Sequence, residues 1–336
     1  MDTHELPPPV QMVHLLAGFQ ISQALYAAAA LGVPDQLVDG PRPVEAVAER
    51  TGAHAPSLQR LLRTLASIGV FTEPAPGTFA LTPLGETLTT HGQGSMRDLA
   101  LVWMETHYAP FGELAHTVRT GQPAAEHVYG EPYFDWLSSR PDQVTRFTGA
   151  MRNLTDGIKA AAIPCVRLDG VTRLVDVGGA DGSMLATVLA DHPDTVGVLF
   201  DLPHVVADAP KSLAQRGVVD RVSCVGGDFF ESVPEGDGYL FSMVLHDWND
   251  DQVTRILANV VAAGGRGARL ALIEFVVPAG DTPHMAKMID LTMLGMLTGR
   301  ERSEVQWQAL LATAGFRDIE VIDTGTPMSV IHAIVA

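Results

Sequence analysis

The stretch Leu174-Val175-Asp176-Val177-Gly178-Gly179-Ala180-Asp181-Gly182-Ser183 runs from a β-branched, apolar segment into a glycine cluster and on into a helical pattern over residues 183–192. A strand that ends in glycines before a helix lets the backbone turn tightly and approach a ligand closely, which is how a nucleotide-binding loop works. The glycines Gly178 and Gly179 do not by themselves say which nucleotide. Asp176, placed just before them, does. A carboxylate there repels the pyrophosphate of a dinucleotide and suits the ammonium group of S-adenosylmethionine, which also carries a sulfonium cation. The loop therefore favours S-adenosylmethionine over NAD.

Downstream, short β-branched runs at residues 196–200, 221–225, 239–244 and 269–277 read as strands, with helical patterns at 183–192, 205–215 and 251–263 between several of them. Alternating strand and helix predicts an α/β fold with a parallel, doubly wound sheet covered on both faces. Residues 319–323 and 328–335 are separated only by 324–327, a hairpin-length connection that makes the last strand antiparallel. Two more acids follow successive strands. Asp201, with Leu202 beside it, stands where a carboxylate accepts hydrogen bonds from ribose hydroxyls. In Gly227-Asp228-Phe229-Phe230, Asp228 is placed to accept from the adenine amino group and Phe229 to cover the ring face. Each alone could be a loop-capping aspartate; three at three strand ends after a glycine loop point to an S-adenosylmethionine site.

Upstream, residues 10–32 read as one very apolar helix, with Val10, Val13, Leu16, Ala17, Ile21, Leu25 and Ala28 at three- and four-residue spacing. Residues 43–90 read as helix, turn at Thr51-Gly52, helix, then a strand pair about residues 74–77: a helix-turn-helix with a wing. That motif suggests DNA recognition. However, the chain's 22 Lys+Arg stand against 39 Asp+Glu, a net charge of −17, and the second helix offers only Arg60 and Arg63. A protein so acidic repels a phosphate backbone or an anionic membrane, so the winged helix is read as a packing module. Residues 96–160 read as helical and hold rings and sulfur in abundance, among them Trp103, Tyr108, Phe147 and Met151. Such a cluster packs a core or lines a pocket for a flat apolar ligand.

Composition bounds the class. Across 336 residues, 46% hydrophobic and 18% charged suffices for a real core and about two domains. The two cysteines, Cys165 and Cys224, are too few for a disulfide framework and lack zinc-site spacing. The start, MDTHELPPPVQ, lacks the pattern of a signal peptide, so a cytoplasmic location is expected. No uninterrupted apolar run reaches spanning length, the patch at residues 24–31 being too short.

The series LVDVGGADGS, FDLPHVV, GDFF, VLHDWND and GRERS closely resembles the S-adenosylmethionine-dependent O-methyltransferases of the plant caffeate type and their bacterial relatives in secondary metabolism. The resemblance covers nearly the whole chain. It departs at Ala180, where a glycine is usual, and at Ser242, where plant members commonly have a lysine near the adenine. It implies a class I Rossmann-like methyltransferase domain over residues 166–336, a winged-helix dimerisation domain over 1–95, and a helical linker over 96–165 that contributes to the acceptor pocket. A homodimer with Val13, Leu16 and Ala17 in the interface is expected, acting on an aromatic small molecule.

Methylating a phenol, whose pKa is about 10, gains from a base near the hydroxyl. The candidate is His246 in Leu245-His246-Asp247-Trp248, at the carboxyl end of the fourth strand. Glu274 is an acid inside an apolar strand and requires a partner. The resemblance implies that Glu274 and Glu301 flank the histidine, where they would stabilise its imidazolium; the alternative for Glu301 is a surface ion pair with Arg300 or Arg302. Asp247 either helps hold the acceptor or caps the helix that starts near Asp250. Met285, Met288, Met293 and Met296 fall on a helix that the family uses to wall the acceptor pocket, Met293 and Met296 being the candidates for acceptor contact; core packing is the alternative. No separate carboxylate cluster suggests a metal. On the same fold, C- or N-methylation, or a hydroxylase or pericyclase step without methyl transfer, is the rival reading.

Overall fold

The computed structural model describes residues 6–92 and 94–336. The first five residues, part of the acidic start used above, lie outside the described residues. The chain forms two compact units, one of Met1–Ala109 with Asp142–Gly157 and one of Pro110–Pro141 with Ile158–Ala336.

In the first unit, α1 (Pro8–Leu16) and α2 (Gly18–Ala30) replace the single helix predicted for residues 10–32. The break falls at Ala17-Gly18, where glycine offers the least resistance to leaving helical geometry. Met12, Val13, Leu15, Leu16 and Phe19 are each more than half exposed on these helices. Next come β1 (Arg42–Pro43), α3 (Val44–Thr51), α4 (Ala55–Ser67), β2 (Phe71–Ala75) and β3 (Thr78–Leu81). Gly52 ends α3 with φ +67°, a left-handed conformation that glycine adopts without strain. The amphipathic face of α4, with Leu58, Leu62 and Leu65, joins Val44, Val47, Phe71 and Phe79 in one core. The strands form a three-stranded antiparallel sheet in the order β1-β3-β2, so the helix-turn-helix and wing are present as expected. Arg60 and Arg63 are exposed on α4.

The second unit is built on a seven-stranded sheet: β4 (Arg173–Val177), β5 (Val196–Asp201), β6 (Val222–Gly226), β7 (Gly238–Ser242), β8 (Arg269–Glu274), β9 (Phe316–Asp323) and β10 (Ser329–Val335). The order is β6-β5-β4-β7-β8-β10-β9, parallel through β8, with β10 antiparallel to both neighbours. This is the doubly wound architecture with a reversed last strand that the sequence predicts. Alternate residues feed two cores: Leu174, Leu199, Leu240 and Ile273 on one face, Val175, Val198, Phe241 and Leu272 on the other.

Three elements differ from expectation in ways that shape the carboxyl edge of this sheet. The helix predicted over 205–215 is two, Pro203–Val206 and Ala209–Gln215, because Pro210 can start a helix but not continue one. The strand predicted to reach Val277 stops at Glu274, and Val276 instead makes an isolated parallel bridge to Arg302. The strand predicted to reach Val244 stops at Ser242, because Met243 turns left-handed with φ +54° and leads into a 3₁₀ turn, Leu245–Asp247. His246 rides on that turn. Among the described residues, no helix is long and apolar enough to cross a membrane.

Candidate active site

At the end of β4 the chain turns through Gly178 (φ +72°), Ala180 (φ +51°) and Gly182 (φ +78°) before the helix Ser183–Ala190. Gly179 is required by space as well. A Cβ there would lie 2.4 Å from Leu199 Cδ1 and 2.5 Å from Asp176 Oδ2. Asp176 is 1% exposed, and its Oδ2 has no hydrogen-bond partner. Burial pushes its pKa up to about 7 against the pull of the Lys159 ammonium. An orphaned buried carboxylate beside a bare glycine backbone fits the cationic amino-acid end of S-adenosylmethionine.

Asp201 accepts hydrogen bonds from Ala180 N at 2.9 Å on Oδ2 and from Leu202 N at 2.7 Å on Oδ1, which fixes its carboxylate at the loop. Asp228 is exposed and accepts from Phe230 N at 2.8 Å, the geometry of a loop cap. Phe229 stands edge-on to Trp248, ring centres 5.8 Å apart. Ser242 Oγ is buried and unpartnered.

At the neighbouring strand ends lies a second cluster. His246 is 3% exposed, and its Nδ1 lies 2.6 Å from Glu301 Oε1. With Glu301 as a carboxylate, Nδ1 carries the proton and donates, which leaves Nε2 as the ring's free base. Asp247 Oδ1 is 3.4 Å from Nε2, and Glu274 Oε2 is 4.0 Å from Nδ1. Burial opposes a charged imidazole, but Glu301, Asp247 and Glu274 override it, and the His246 pKa is raised above the ordinary value of 6.5. Glu274, fully buried, accepts from Leu245 N at 3.2 Å through Oε1, and burial raises its own pKa. Burial likewise raises Asp247.

Two open alternatives are corrected by this geometry. Glu301 is 4% exposed and bonded to His246, so it is not a surface ion pair. The helix Asp250–Gly264 is capped by Asn249, with Gln252 returning the bond, so Asp247 is not its cap. His246, Glu274 and Glu301 also offer ligand atoms within 4.8 Å of one another. A metal there would have to break the 2.6 Å bond that orders the ring.

Sequence reasoning missed what holds this cluster in place. Arg302, which the sequence offers only in the alternative ion pair for Glu301, is fully buried; it donates to Leu245 O at 3.1 Å, Trp248 O at 2.7 Å and Asp250 Oδ1 at 2.9 Å. Its fork thus grips the chain on both sides of His246. Gly299 closes the same contact: a Cβ there would lie 1.9 Å from His246 O. Lys159, 4% exposed, was also passed over. The only local signal was one lysine in the apolar run Ile158-Lys159-Ala160-Ala161-Ala162.

The candidate acceptor residues fall in different units. Trp103 and Tyr108, partly exposed, and Phe147 and Met151, half-buried, belong to the first unit; Asp247, Met293 and Met296 belong to the second. Met293 and Met296 are buried on the helix Met285–Met296, Met293 within the sheet core, whereas Met285 and Met288 are exposed. The four methionines therefore do not form one stripe.

Ala180 stands at φ +51°, where an L side chain costs about 1–2 kcal/mol, partly offset because glycine loosens the unfolded chain by about 0.5–1 kcal/mol. Ala180→Gly should therefore leave the unfolding free energy unchanged or raise it by up to about 1.5 kcal/mol in urea titration; a loss of about 0.5–1 kcal/mol, the entropic cost of glycine alone, would show that the loop is not strained there.

The family description "O-methyltransferase domain" matches residues 111–317, and "O-methyltransferase dimerisation domain" matches residues 13–91. The chain is 38% identical to the phenazine O-methyltransferase PhzM of Lysobacter antibioticus, over 96% of this chain and 95% of that one. Its fold superposes on the crystal structure of LaPhzM with a TM-score of 0.94, at 38% identity, covering 98% of this chain and 100% of that one. It also matches an O-methyltransferase from neocarzinostatin biosynthesis, solved with S-adenosylmethionine and 2-hydroxy-5-methyl naphthoic acid, with a TM-score of 0.80 at 32% identity over 94% and 96% of the two chains. The chain therefore belongs to the O-methyltransferase family with an N-terminal dimerisation domain, and it is an S-adenosylmethionine-dependent O-methyltransferase.

Proposed function

We propose that the enzyme methylates a phenol or enol hydroxyl of an aromatic, polyketide-like small molecule, with His246 as general base and Glu301 and Glu274 as the groups that orient and charge-balance it. The observation that carries this reading is the buried Nδ1–Glu301 bond of 2.6 Å, which fixes the tautomer and leaves Nε2 to receive a proton. S-adenosylmethionine supplies an electrophilic methyl group and departs as a neutral thioether. Asp176, Gly178, Gly179, Asp201, Leu202, Asp228, Phe229 and Ser242 are the residues proposed to hold it. The acceptor hydroxyl yields its proton to Nε2 as its oxygen takes the methyl group, and the carboxylates stabilise the imidazolium that forms. Within the second unit, Asp247, Met293 and Met296 are the proposed acceptor contacts. The rival chemistries on this fold do not all need a base, and a histidine so thoroughly provided with carboxylates favours O-methylation over them.

His246→Ala should lower methyl transfer by about 10²–10⁴-fold while the calorimetric affinity for S-adenosylhomocysteine changes little. Unchanged turnover would assign the rate to proximity alone.

The pH profile follows from the sign of the shift. Because the carboxylates raise the His246 pKa above 6.5, the free base forms later, and kcat/KM should climb with pH through an apparent pKa above that value. Removing one negative partner in Glu301→Gln should move that limb to lower pH and reduce its plateau. A limb that stays in place in the variant would mean that another group is titrating.

The exposed apolar side chains of α1 and α2 suit a homodimer interface. Leu16→Glu should convert the protein to monomer in sedimentation at micromolar concentration, and an unchanged dimer would exclude α1 from the contact.

A further inference from the structure

Lys159 is a buried cation that the proposed chemistry does not use. It begins the 3₁₀ segment Lys159–Cys165, and Ala162 and Ile163 of that segment pack into the core face shared by Leu174, Leu240 and Ile273. The segment packs against the helix Ser183–Ala190 and β10 on that face of the sheet, and Asp176, Ser242 and Glu274 stand at the carboxyl ends of β4, β7 and β8. The ammonium is placed in the field of Asp176, Glu274, Asp247 and Asp181, yet no hydrogen bond or ion pair ties it to any of them among the described residues. Asp176 Oδ2 and Glu274 Oε2 are themselves buried and unpartnered. An ammonium 4% exposed and an orphaned carboxylate that feel one another's charge are each expensive to leave unmatched. Burial lowers the lysine pKa to about 8, which its acidic neighbours resist, so it keeps its charge at neutral pH.

A ligand that satisfies both groups must bring a negative and a positive charge a few bonds apart. The amino-acid end of S-adenosylmethionine is such a group, a carboxylate and an ammonium on one carbon. We propose that Lys159 binds the α-carboxylate of the cosubstrate while Asp176 takes its ammonium, so that the pair recognises a zwitterion rather than a nucleoside alone. The assignment rests on the reading of Asp176 as the ammonium anchor. It also differs in kind from the ribose and adenine contacts, which any adenosine derivative satisfies.

The test separates the two charges. Calorimetry compares S-adenosylhomocysteine with its decarboxylated analogue, which keeps the amine and the nucleoside. The wild-type protein should prefer S-adenosylhomocysteine by about 10- to 100-fold, the range of a charge-assisted hydrogen bond. Lys159→Met should erase that preference by weakening S-adenosylhomocysteine alone, and Lys159→Arg should restore part of it. Asp176→Asn should weaken both ligands together; if it weakens neither, the ammonium anchor is misassigned, while the carboxylate result stands on its own. Equal wild-type affinity for the two ligands overturns the proposal without any variant. So does an equal loss of both in Lys159→Met, or a Lys159→Met protein whose only defect is a raised KM for acceptors that carry a carboxylate, which would give the lysine to the acceptor.

Discussion

The site depends on one constraint: an ionisable histidine is held at 3% exposure, where neither its neutral nor its charged form can rely on water. An isolated buried charge costs several kcal/mol, more than any single apolar contact returns. His246 is therefore tolerable only if carboxylates reach it, and those carboxylates are tolerable only if something reaches them. Glu301 is answered by the imidazole, Glu274 by Leu245 N, and the acid-rich turn by the Arg302 guanidinium. Networks of this kind are cooperative, because removing one member leaves the others as unpaired buried charges.

The topology explains how three distant stretches meet. β7 and β8 are parallel neighbours, so residues following Ser242 and residues at Glu274 emerge at the same sheet edge. The third member arrives by a route that strand order does not dictate. After the helix Met285–Met296 the chain returns to that edge, where Arg302 bridges Val276 and Glu301 N donates to Asp290 Oδ1 at 2.9 Å. Gly299 permits that return. With a bare Cα, the returning chain can touch the backbone of His246, and Arg302 can then reach the carbonyls on either side of it. The clamp and the base are consecutive consequences of one close backbone approach.

Legibility in the sequence followed the range of the physics. The glycine loop, the strand and helix alternation and the closing hairpin are local patterns, and each stands where the residues place it. Glu274 announced itself by being an acid in an apolar strand. Arg302 and Lys159 could not, because burial of a long cation is decided by which distant carboxylates and carbonyls converge on it. The single helix expected over residues 10–32 failed for a smaller reason: periodicity continues through Gly18, while the backbone does not. Asp228 showed the limit of arguing from residue type. Its side chain already serves its own loop through Phe230 N, so a cofactor contact would have to share it.

The acid excess of −17 divides into two kinds of charge. Most of it is exposed and disperses in solvent. The rest sits at the carboxyl edge of the sheet, where Asp176, Asp201, Asp247 and Glu274 are all displaced upward in pKa chiefly by burial. Groups so displaced hold their protons more tightly than free carboxylates, and a cationic ligand draws them back toward ionisation. If these acids hold the cosubstrate as proposed, binding of its sulfonium and ammonium charges is linked to proton release from the same groups. On the proposed reading, carboxylates that are a liability when buried without a counter-charge become the source of affinity for a positively charged cosubstrate, and of tolerance for a histidine that turns positive during the reaction.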